Sequence, residues 1–168
     1  MSEPCTVVDL DDILKFTVDF GESDGEYAAH FRRLVKLVDA QLYPGQAVAP
    51  KNFPSYGLRG RHVCRVLLFR PGSVDSGSGL RAALVESGFE GRFLHPLELL
   101  ALCANYRDLG RKFPLVSSPD CVSLDANGVP YHVMVSSCHG GQAVDASSPD
   151  GIGWSANCRF PIRLSEPG

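Results

Sequence analysis

The hydrophobic and polar positions in the first part of the chain follow two different periodicities, one after the other. Over LKFTVDF, residues 14–20, every second residue is apolar, which predicts a strand buried on one face. Apolar residues between 27 and 42 then recur at intervals of three and four, which predicts an amphipathic helix. Ser23 and Glu26 have the spacing of a capping box at its start, and a Pro-Gly pair at 44–45 marks its end.

An irregular connection and a covered strand are predicted next. Residues 44–61, PGQAVAPKNFPSYGLRGR, lack any apolar period and are punctuated by proline and glycine. The run VCRVLLF, 63–69, is apolar almost throughout. Such a run is typical of a strand that is covered on both faces.

Two helices are expected after this strand. LRAALVES, 80–87, predicts a short helix that Gly88 closes in a left-handed conformation. A second helix starts with His95 as its N-cap and Pro96 at its first position. This helix is apolar around most of its circumference, so we expect it to be deeply packed and to end at Gly110.

The last third of the chain is strand-like and begins with a hairpin. CVSLDANGVPYHVMV, 121–135, predicts two strands joined by the two-residue turn Asn127-Gly128. That register places Leu124 opposite Tyr131. Both then share an apolar face with Val135, which we expect to be the core face.

A final strand completes the predicted fold. WSANCRFPIRL, 154–164, alternates strictly, and Pro161 lacks an N–H, which suggests an edge strand or a bulge. The elements predict an α+β fold, β-α-β-α-α followed by a small antiparallel β meander. Residues 1–168 are expected to form a single domain, with 1–12 as an N-terminal segment that could be mobile.

Composition and charge narrow the class of protein. Of 168 residues 44% are hydrophobic, enough for a core, and 16 Lys and Arg against 19 Asp and Glu argue against nucleic acid as the main partner. The N-terminus lacks the features of a signal peptide, and no apolar run is long enough to span a membrane. We therefore expect a soluble, cytoplasmic protein with no membrane partner, whose six cysteines are reduced.

Part of the chain resembles an uncharacterised family of small bacterial proteins. Three segments carry the resemblance: KNFP (51–54), LLFRPG (67–72) and GFEGRFLHPLELLALCANYRDLGRKFPLV (88–116). The family has an LxELLAL helix, matched by 96–102, an FPIV strand, matched by 113–116, and a C-terminal β meander that ends near an RF strand, matched by Arg159-Phe160. The chain departs from the pattern at Pro96 and after Val116. The resemblance implies this order of elements and a bacterial source, and it assigns no catalytic residues.

A zinc site in the last third of the chain is not favoured. The candidate ligands are Cys121, His132, Cys138, His139 and Cys158. His132 and Cys138 are roughly 20 Å apart along a strand, and Cys158 belongs to an apolar face, so four ligands do not converge on one point. We predict no metal and no cofactor.

The segment VSSCHGG, 135–141, carries two reactive residue types side by side. If the backbone turns at its two glycines, His139 could activate a Cys138 nucleophile and Asp145 could orient the imidazole. The same composition is also typical of an ordinary surface turn. An enzyme with Cys138, His139 and Asp145 as catalytic residues is therefore our alternative hypothesis.

The segment before the first of the two later helices is a candidate for binding an anion. Ser76, Gly77, Ser78 and Gly79 precede the helix, where backbone N–H groups can hold a phosphate. The P-loop spacing is absent, and a flexible start with a serine cap explains the same residues.

Exposed aromatic residues on irregular segments are the candidate anchors of an interface. Phe53 and Tyr56 lie in the connection 44–61, and a polar loop is expected over 138–153. Because no polar residues converge by pattern, our main interpretation is a small non-enzymatic binding or interaction domain. Its partner would be a protein or a small molecule.

Overall fold

The computed structural model describes residues 6–7, 13–38, 48–70, 77–86, 88, 91–124, 126–138, 141–147 and 158–164. Four helices lie in these ranges: α1 Asp24–Val38, α2 Gly77–Glu86, α3 Pro96–Asn105 and α4 Leu109–Lys112. Nine strands accompany them: β1 Thr6–Val7, β2 Leu14–Asp19, β3 Arg61–Arg70, β4 Gly91–Phe93, β5 Leu115–Val116, β6 Ser123–Leu124, β7 Pro130–Cys138, β8 Gly141–Ser147 and β9 Phe160–Leu164. The predicted α+β class is confirmed.

The strands form two sheets in which every pair of strands is antiparallel. In the first sheet β3 has β1 and β2 on one side and β9 on the other, and β4 pairs with the far side of β9. In the second sheet β7 pairs with β5, β6 and β8. A parallel bridge from Leu115 to Arg159 joins β5 to the segment just before β9.

Helix α1 follows the predicted pattern closely. Its buried residues are Tyr27, Phe31, Leu34 and Val38, the apolar stripe at helical spacing. The Ser23 hydroxyl accepts from the Glu26 N–H at 3.2 Å, while the Glu26 carboxylate reaches the N–H of Glu22 rather than that of Ser23. The capping box is therefore present in a form shifted by one residue.

Two apolar clusters lie on opposite faces of the first sheet. Cys64, Val66 and Leu68 of β3 join the larger cluster, with α1, α3 and the second sheet. Phe69 of β3 joins the smaller cluster, with residues of α2, β4 and β9. Because successive side chains of a strand point to opposite faces, the predicted two-sided burial of β3 follows, and it is found over 66–69.

Helix α3 lies in the centre of the larger cluster. Every residue from Pro96 to Cys103 is buried, which confirms the deep packing predicted from its apolar circumference. The helix ends at Asn105, not at Gly110 as predicted. Gly110 instead belongs to α4, where its N–H donates to the Gln142 side chain of β8 at 3.0 Å.

The free edge of β2 is occupied by groups from the rest of the chain. The Tyr106 hydroxyl accepts from the Lys15 N–H at 3.2 Å and donates to the Lys15 carbonyl at 2.9 Å. His30 Nδ1 lies 2.8 Å from the Asp19 carbonyl oxygen. These contacts give partners to backbone groups that point away from β3.

The predicted register of the hairpin is wrong by one residue. Ser123, not Leu124, lies opposite Tyr131, and Leu124 lies opposite Pro130. Because a one-residue slip moves each side chain to the other face, Leu124 is exposed instead of buried, while Val135 is buried as predicted.

The C-terminal strand does not continue the second sheet. β9 lies between β3 and β4 in the first sheet, so the prediction of an edge strand at Pro161 is wrong. Pro161 pairs with Leu68 of β3, but it lies one residue beyond the short strand β4, whose Phe93 pairs with Ile162. Cys158, Phe160 and Ile162 are buried as the alternation predicted, but Arg159 and Pro161 between them are buried as well, so both faces of this segment are covered.

Two predicted loops and one predicted interface residue also differ from what the structure shows. Residues 141–147 form β8 rather than part of a polar loop, and α2 begins at Gly77 rather than at Leu80. Phe53 is fully buried, so it is not the exposed aromatic that the sequence suggested. Its carbonyl oxygen accepts from the Tyr27 hydroxyl at 2.5 Å, which ties the connection before β3 to α1.

The substitution Gly110→Ala is expected to destabilise the protein. A Cβ at this position would lie 2.5 Å from the Gln142 amide oxygen and 2.8 Å from a Val135 methyl group, so these side chains or α4 itself must shift. We expect the free energy of unfolding in urea to fall by about 1–3 kcal/mol.

Gly25→Ala in α1 is the matched control. Its Cβ would meet no atom closer than 3.9 Å, so we expect a gain of about 0.4–1 kcal/mol. Equal effects of the two substitutions would contradict the close approach of α4 to β7 and β8.

Candidate functional site

A cavity of about 590 Å³ lies where α2, the connection before β3, β4 and the turn after β5 meet. Its lining is mainly apolar and aromatic on one side and polar on the other. The lining residues are Tyr56, Leu58, Arg81, Leu84, Val85, Arg92, Phe93, His95, Ser118, Asp120 and Cys121. A concave pocket with an apolar wall and a few polar groups is the usual form of a small-molecule site.

A fully buried carboxylate, Glu98, lies behind the polar wall of this pocket. Its two oxygens accept from both terminal nitrogens of Arg92, at 2.7 and 2.9 Å, and from Arg163 at 3.1 Å. The His95 N–H and the Cys64 thiol add bonds of 2.9 and 3.4 Å. Arg92 and Arg163 are register partners on β4 and β9, so the pairing of these strands brings both cations to one carboxylate.

Glu98 is ionised in this arrangement. Burial alone would raise its pKa, but the hydrogen bonds and charge of Arg92, the His95 N–H and the charge of Arg163 together hold the pKa below its usual value. The pKa of Arg92 is in turn raised, because its bonds to Glu98 outweigh the cost of burial. The cluster of two guanidinium groups and one carboxylate therefore carries one positive charge at neutral pH.

His95 joins α3 to the connection 48–60. Its Nδ1 accepts from the Leu97 N–H at 3.0 Å, which confirms the predicted N-cap, and its Nε2 lies 2.8 Å from the Pro54 carbonyl oxygen. Since Nδ1 is an acceptor, Nε2 must carry the proton and donate. Burial lowers the pKa of His95, so the ring is neutral and both nitrogens are engaged.

Tyr56 is held at the mouth of the pocket in a strained conformation. Its φ of 53° makes it the one non-glycine with positive φ among the described residues, and Gly57 follows with φ of 80°. The Leu58 N–H donates to the Ser55 carbonyl at 3.1 Å and closes the turn. The Tyr56 ring makes an edge contact with His95, 5.9 Å between ring centres, and remains 56% exposed. Strain that the surrounding structure maintains is common at functional sites.

The thiol of Cys121 also lines the pocket. Burial raises its pKa to about 11, so the thiol is protonated at neutral pH. A protonated thiol is a poor nucleophile, and neither nitrogen of His95 is available to activate it. Cys121 therefore contributes a neutral polar surface to the pocket wall.

An ion pair spans the outer part of the pocket. Arg81 of α2 pairs with Asp120 of the turn after β5, and both side chains are about half exposed or more. Exposed pairs of this kind contribute about 0–1 kcal/mol to stability, so this contact is easily exchanged for one with a ligand.

A second cavity of about 530 Å³ lies between β2, β3 and the segment that joins α3 to α4. Its charged lining residues, Arg107, Asp108 and Lys112, are all exposed. No buried charge fixes their positions, so the first pocket is the stronger candidate site.

Of the three predicted catalytic residues, Asp145 is described with its side chain, and it does not line either cavity. Cys138 pairs with Gly141 at the end of the β7–β8 hairpin, and His139 lies outside the described residues. Asp145 is four residues further along β8, roughly 13 Å from Gly141. It is exposed, and its Oδ1 accepts from the Ala146 N–H at 2.8 Å. The cysteine-nucleophile hypothesis stays a prediction.

Of the predicted binding residues whose side chains the structure describes, one lines the pocket. Tyr56 lines it, whereas Phe53 is buried beneath the connection. Gly77, Ser78 and Gly79 form the first turn of α2, and Ser76 lies outside the described residues. Residues further along the same helix, Arg81, Leu84 and Val85, are the ones that reach the pocket.

Sequence reasoning missed the charged wall of the pocket. One signal was present, because Glu98 stands three residues after the N-cap His95, the spacing of a capping box. Arg92 lies close by in the chain, but Arg163 is 65 residues away from Glu98. Only the pairing of β4 with β9 reveals that partner.

Comparison with known proteins adds no family to this description. No protein-family model, curated protein or solved structure matches the chain. The resemblance to a family of small bacterial proteins therefore stays a prediction.

Two further classes of site were sought in the described residues. No group of three or more His, Cys, Asp or Glu side chains in this part of the chain is placed to bind a metal ion. None of its helices has both the length and the apolar character needed to cross a membrane. Cys64, Cys103, Cys121 and Cys158 are free thiols.

Glu98→Gln is expected to destabilise the fold strongly. The change removes the negative charge between two guanidinium groups, one of which is mostly buried. Breaking a buried ion pair costs about 3–5 kcal/mol, and we expect the lower end, about 3 kcal/mol, because Arg92 stays half exposed.

Asp120→Asn serves as the control for this measurement by urea unfolding. It removes an exposed carboxylate from Arg81, and we expect a loss of about 0–1 kcal/mol. If both variants lose the same small amount, the Glu98 cluster does not hold the fold together.

Stability is expected to fall on mild acidification because of His95. In the unfolded chain His95 takes up a proton near its usual pKa of 6.5, whereas the folded ring takes one up only at lower pH. Below pH 6.5 the unfolded state therefore binds more protons, and the free energy of unfolding falls by up to about 1.4 kcal/mol per pH unit. The contribution of Glu98 is lost only as the pH falls below its usual value of 4.5.

His95→Asn isolates this effect. Asparagine keeps a side-chain acceptor for the Leu97 N–H but does not titrate. Urea unfolding at pH 7.5 and 5.5 should show a smaller loss for the variant than for the wild type. Equal losses would assign the pH dependence to other groups.

Proposed function

We propose that the chain is a non-enzymatic binding protein whose ligand is a small molecule with an apolar body. The observation that carries the proposal is the pocket of about 590 Å³ between α2 and the Tyr56 turn. Its volume lies within the roughly 300–1,000 Å³ of typical ligand pockets. Leu58, Leu84, Val85 and Phe93 supply the apolar wall.

The concave shape favours a small molecule over a protein partner. Two of the large exposed hydrophobic side chains, Tyr56 and Val85, stand at the rim of this same pocket. A ligand placed between them would remove both from water, at about 25 cal/mol for each Å² of apolar surface.

The state of the polar groups favours binding over catalysis. In the described part of the pocket the thiol is protonated, the imidazole is neutral with both nitrogens engaged, and burial raises the pKa of Tyr56 above its usual value. A nucleophile needs an adjacent base that can take its proton. An enzyme that uses Cys138 with His139 remains the alternative hypothesis. The cytoplasmic location expected from the sequence also stays a prediction.

Binding of 2-naphthamide, an uncharged aromatic probe, tests the proposal. Titration into the ¹⁵N-labelled protein should shift the backbone amide signals of Val85, Arg92 and Cys121, which belong to three walls of the pocket. Val85→Glu places a charge on the apolar wall and should weaken binding about tenfold, which corresponds to about 1.4 kcal/mol.

Val63→Glu is the matched control for Val85→Glu. Val63 is also an exposed valine, 49% against 77% for Val85, but it lies on β3 outside the pocket. Its substitution should leave the affinity unchanged. An absence of shifts around the pocket, or equal weakening by both substitutions, would overturn the proposed function.

A further inference from the structure

The guanidinium group of Arg92 has hydrogen-bond donors to spare. Nη1 donates to Glu98 at 2.7 Å and to the Phe93 carbonyl at 3.3 Å, and Nη2 donates to Glu98 at 2.9 Å. A guanidinium group has five N–H donors, so Nε–H and the second N–H of Nη2 are left. Among the described residues, no acceptor forms a hydrogen bond with Nε–H or with this second N–H of Nη2.

These two remaining donors form a fork directed away from Glu98. Nε–H and the outer N–H of Nη2 point in parallel, so together they can donate two hydrogen bonds to one carboxylate that approaches side-on. The Arg92 side chain is 46% exposed and lines the pocket, so a ligand can reach this fork.

Glu98 fixes the orientation of the fork before any ligand arrives. Its carboxylate is fully buried and holds both terminal nitrogens of Arg92. A preorganised side chain loses little conformational freedom when it binds, so its bonds contribute more to affinity.

The charge of the pocket has the sign that an acidic ligand requires. Among the described residues, Arg81, Arg92 and Asp120 line the pocket, and Glu98 and Arg163 form an ion pair behind Arg92, which leaves one positive charge in excess. The other polar groups of the wall add no negative charge, since the thiol of Cys121 and the hydroxyl of Tyr56 are both protonated at neutral pH.

We propose that the ligand of this pocket is an organic carboxylate, with its carboxylate on the Nε–H and Nη2–H fork of Arg92 and its apolar body against Leu84, Val85 and Phe93. This inference rests on the proposed function and adds the chemical class of the ligand. In this arrangement Arg92 determines the specificity for a carboxylate. Glu98 and Arg163 are the residues that position Arg92.

A pair of probes that differ only in charge tests the inference. We expect 2-naphthoate to bind the wild-type protein at least tenfold more tightly than 2-naphthamide at low ionic strength, by calorimetry. The Nε–H signal of Arg92 should shift on addition of 2-naphthoate and stay in place with 2-naphthamide, a readout that needs no variant.

Arg92→Lys gives the second arm. Lysine keeps a positive charge for Glu98, but its single ammonium group is then engaged and offers no fork. The variant should reduce the affinity for 2-naphthoate about tenfold, to that of the amide, and leave the amide unchanged. Arg111→Lys, on the exposed side of α4 and paired with Asp108, is the control and should bind both probes like the wild type.

The outcomes separate this inference from the proposed function. If the amide binds the wild type as tightly as the carboxylate, or if the Arg92 Nε–H signal does not respond to 2-naphthoate, the assignment of a carboxylate is overturned while the binding function stands. If neither probe shifts the signals of the pocket, the proposed function fails and this inference fails with it.

Discussion

The buried carboxylate of Glu98 is the constraint on which the arrangement of the fold depends. A charge without access to water is tolerated only when its oxygens are fully hydrogen-bonded, and Glu98 meets this condition with donors from β3, β4, β9 and the start of α3. These four segments must therefore come together in one geometry. The same side chain caps α3 and orients Arg92, so stability and the shape of the pocket are set by one group.

Patterns with a fixed period could be predicted from the sequence. The stripe of α1 and the alternation of β2 were evident because each is a local repeat that one apolar face imposes, and the burial of α3 was evident because its residues are apolar around most of the helix. The cap at His95 was also evident, because proline at the next position and a helical pattern after it mark the same boundary.

Features that depend on pairing between distant segments could not be predicted. Asn127-Gly128 suggested a two-residue turn of type I′, which requires positive φ at both residues. Only Gly128 has it, and the connection instead has five residues between the paired Leu124 and Pro130. The connection 48–60 has no period, so nothing in it distinguished the buried Phe53 from the exposed Tyr56. Identifying Arg163 as a partner of Glu98 required knowing the order of the strands in the first sheet.

The hydroxyl of Tyr106 on the edge of β2 bears on how copies of the protein behave toward one another. A sheet edge with unoccupied backbone groups is a template on which a strand of a neighbouring molecule can add. The Tyr106 hydroxyl is hydrogen-bonded to both the N–H and the carbonyl of Lys15. The His30 ring contacts the carbonyl of Asp19, four residues further along β2. A foreign strand would have to displace an aromatic side chain that is itself packed against the core. Tyr106 and His30 together therefore oppose the addition of a strand from another molecule at the β2 edge.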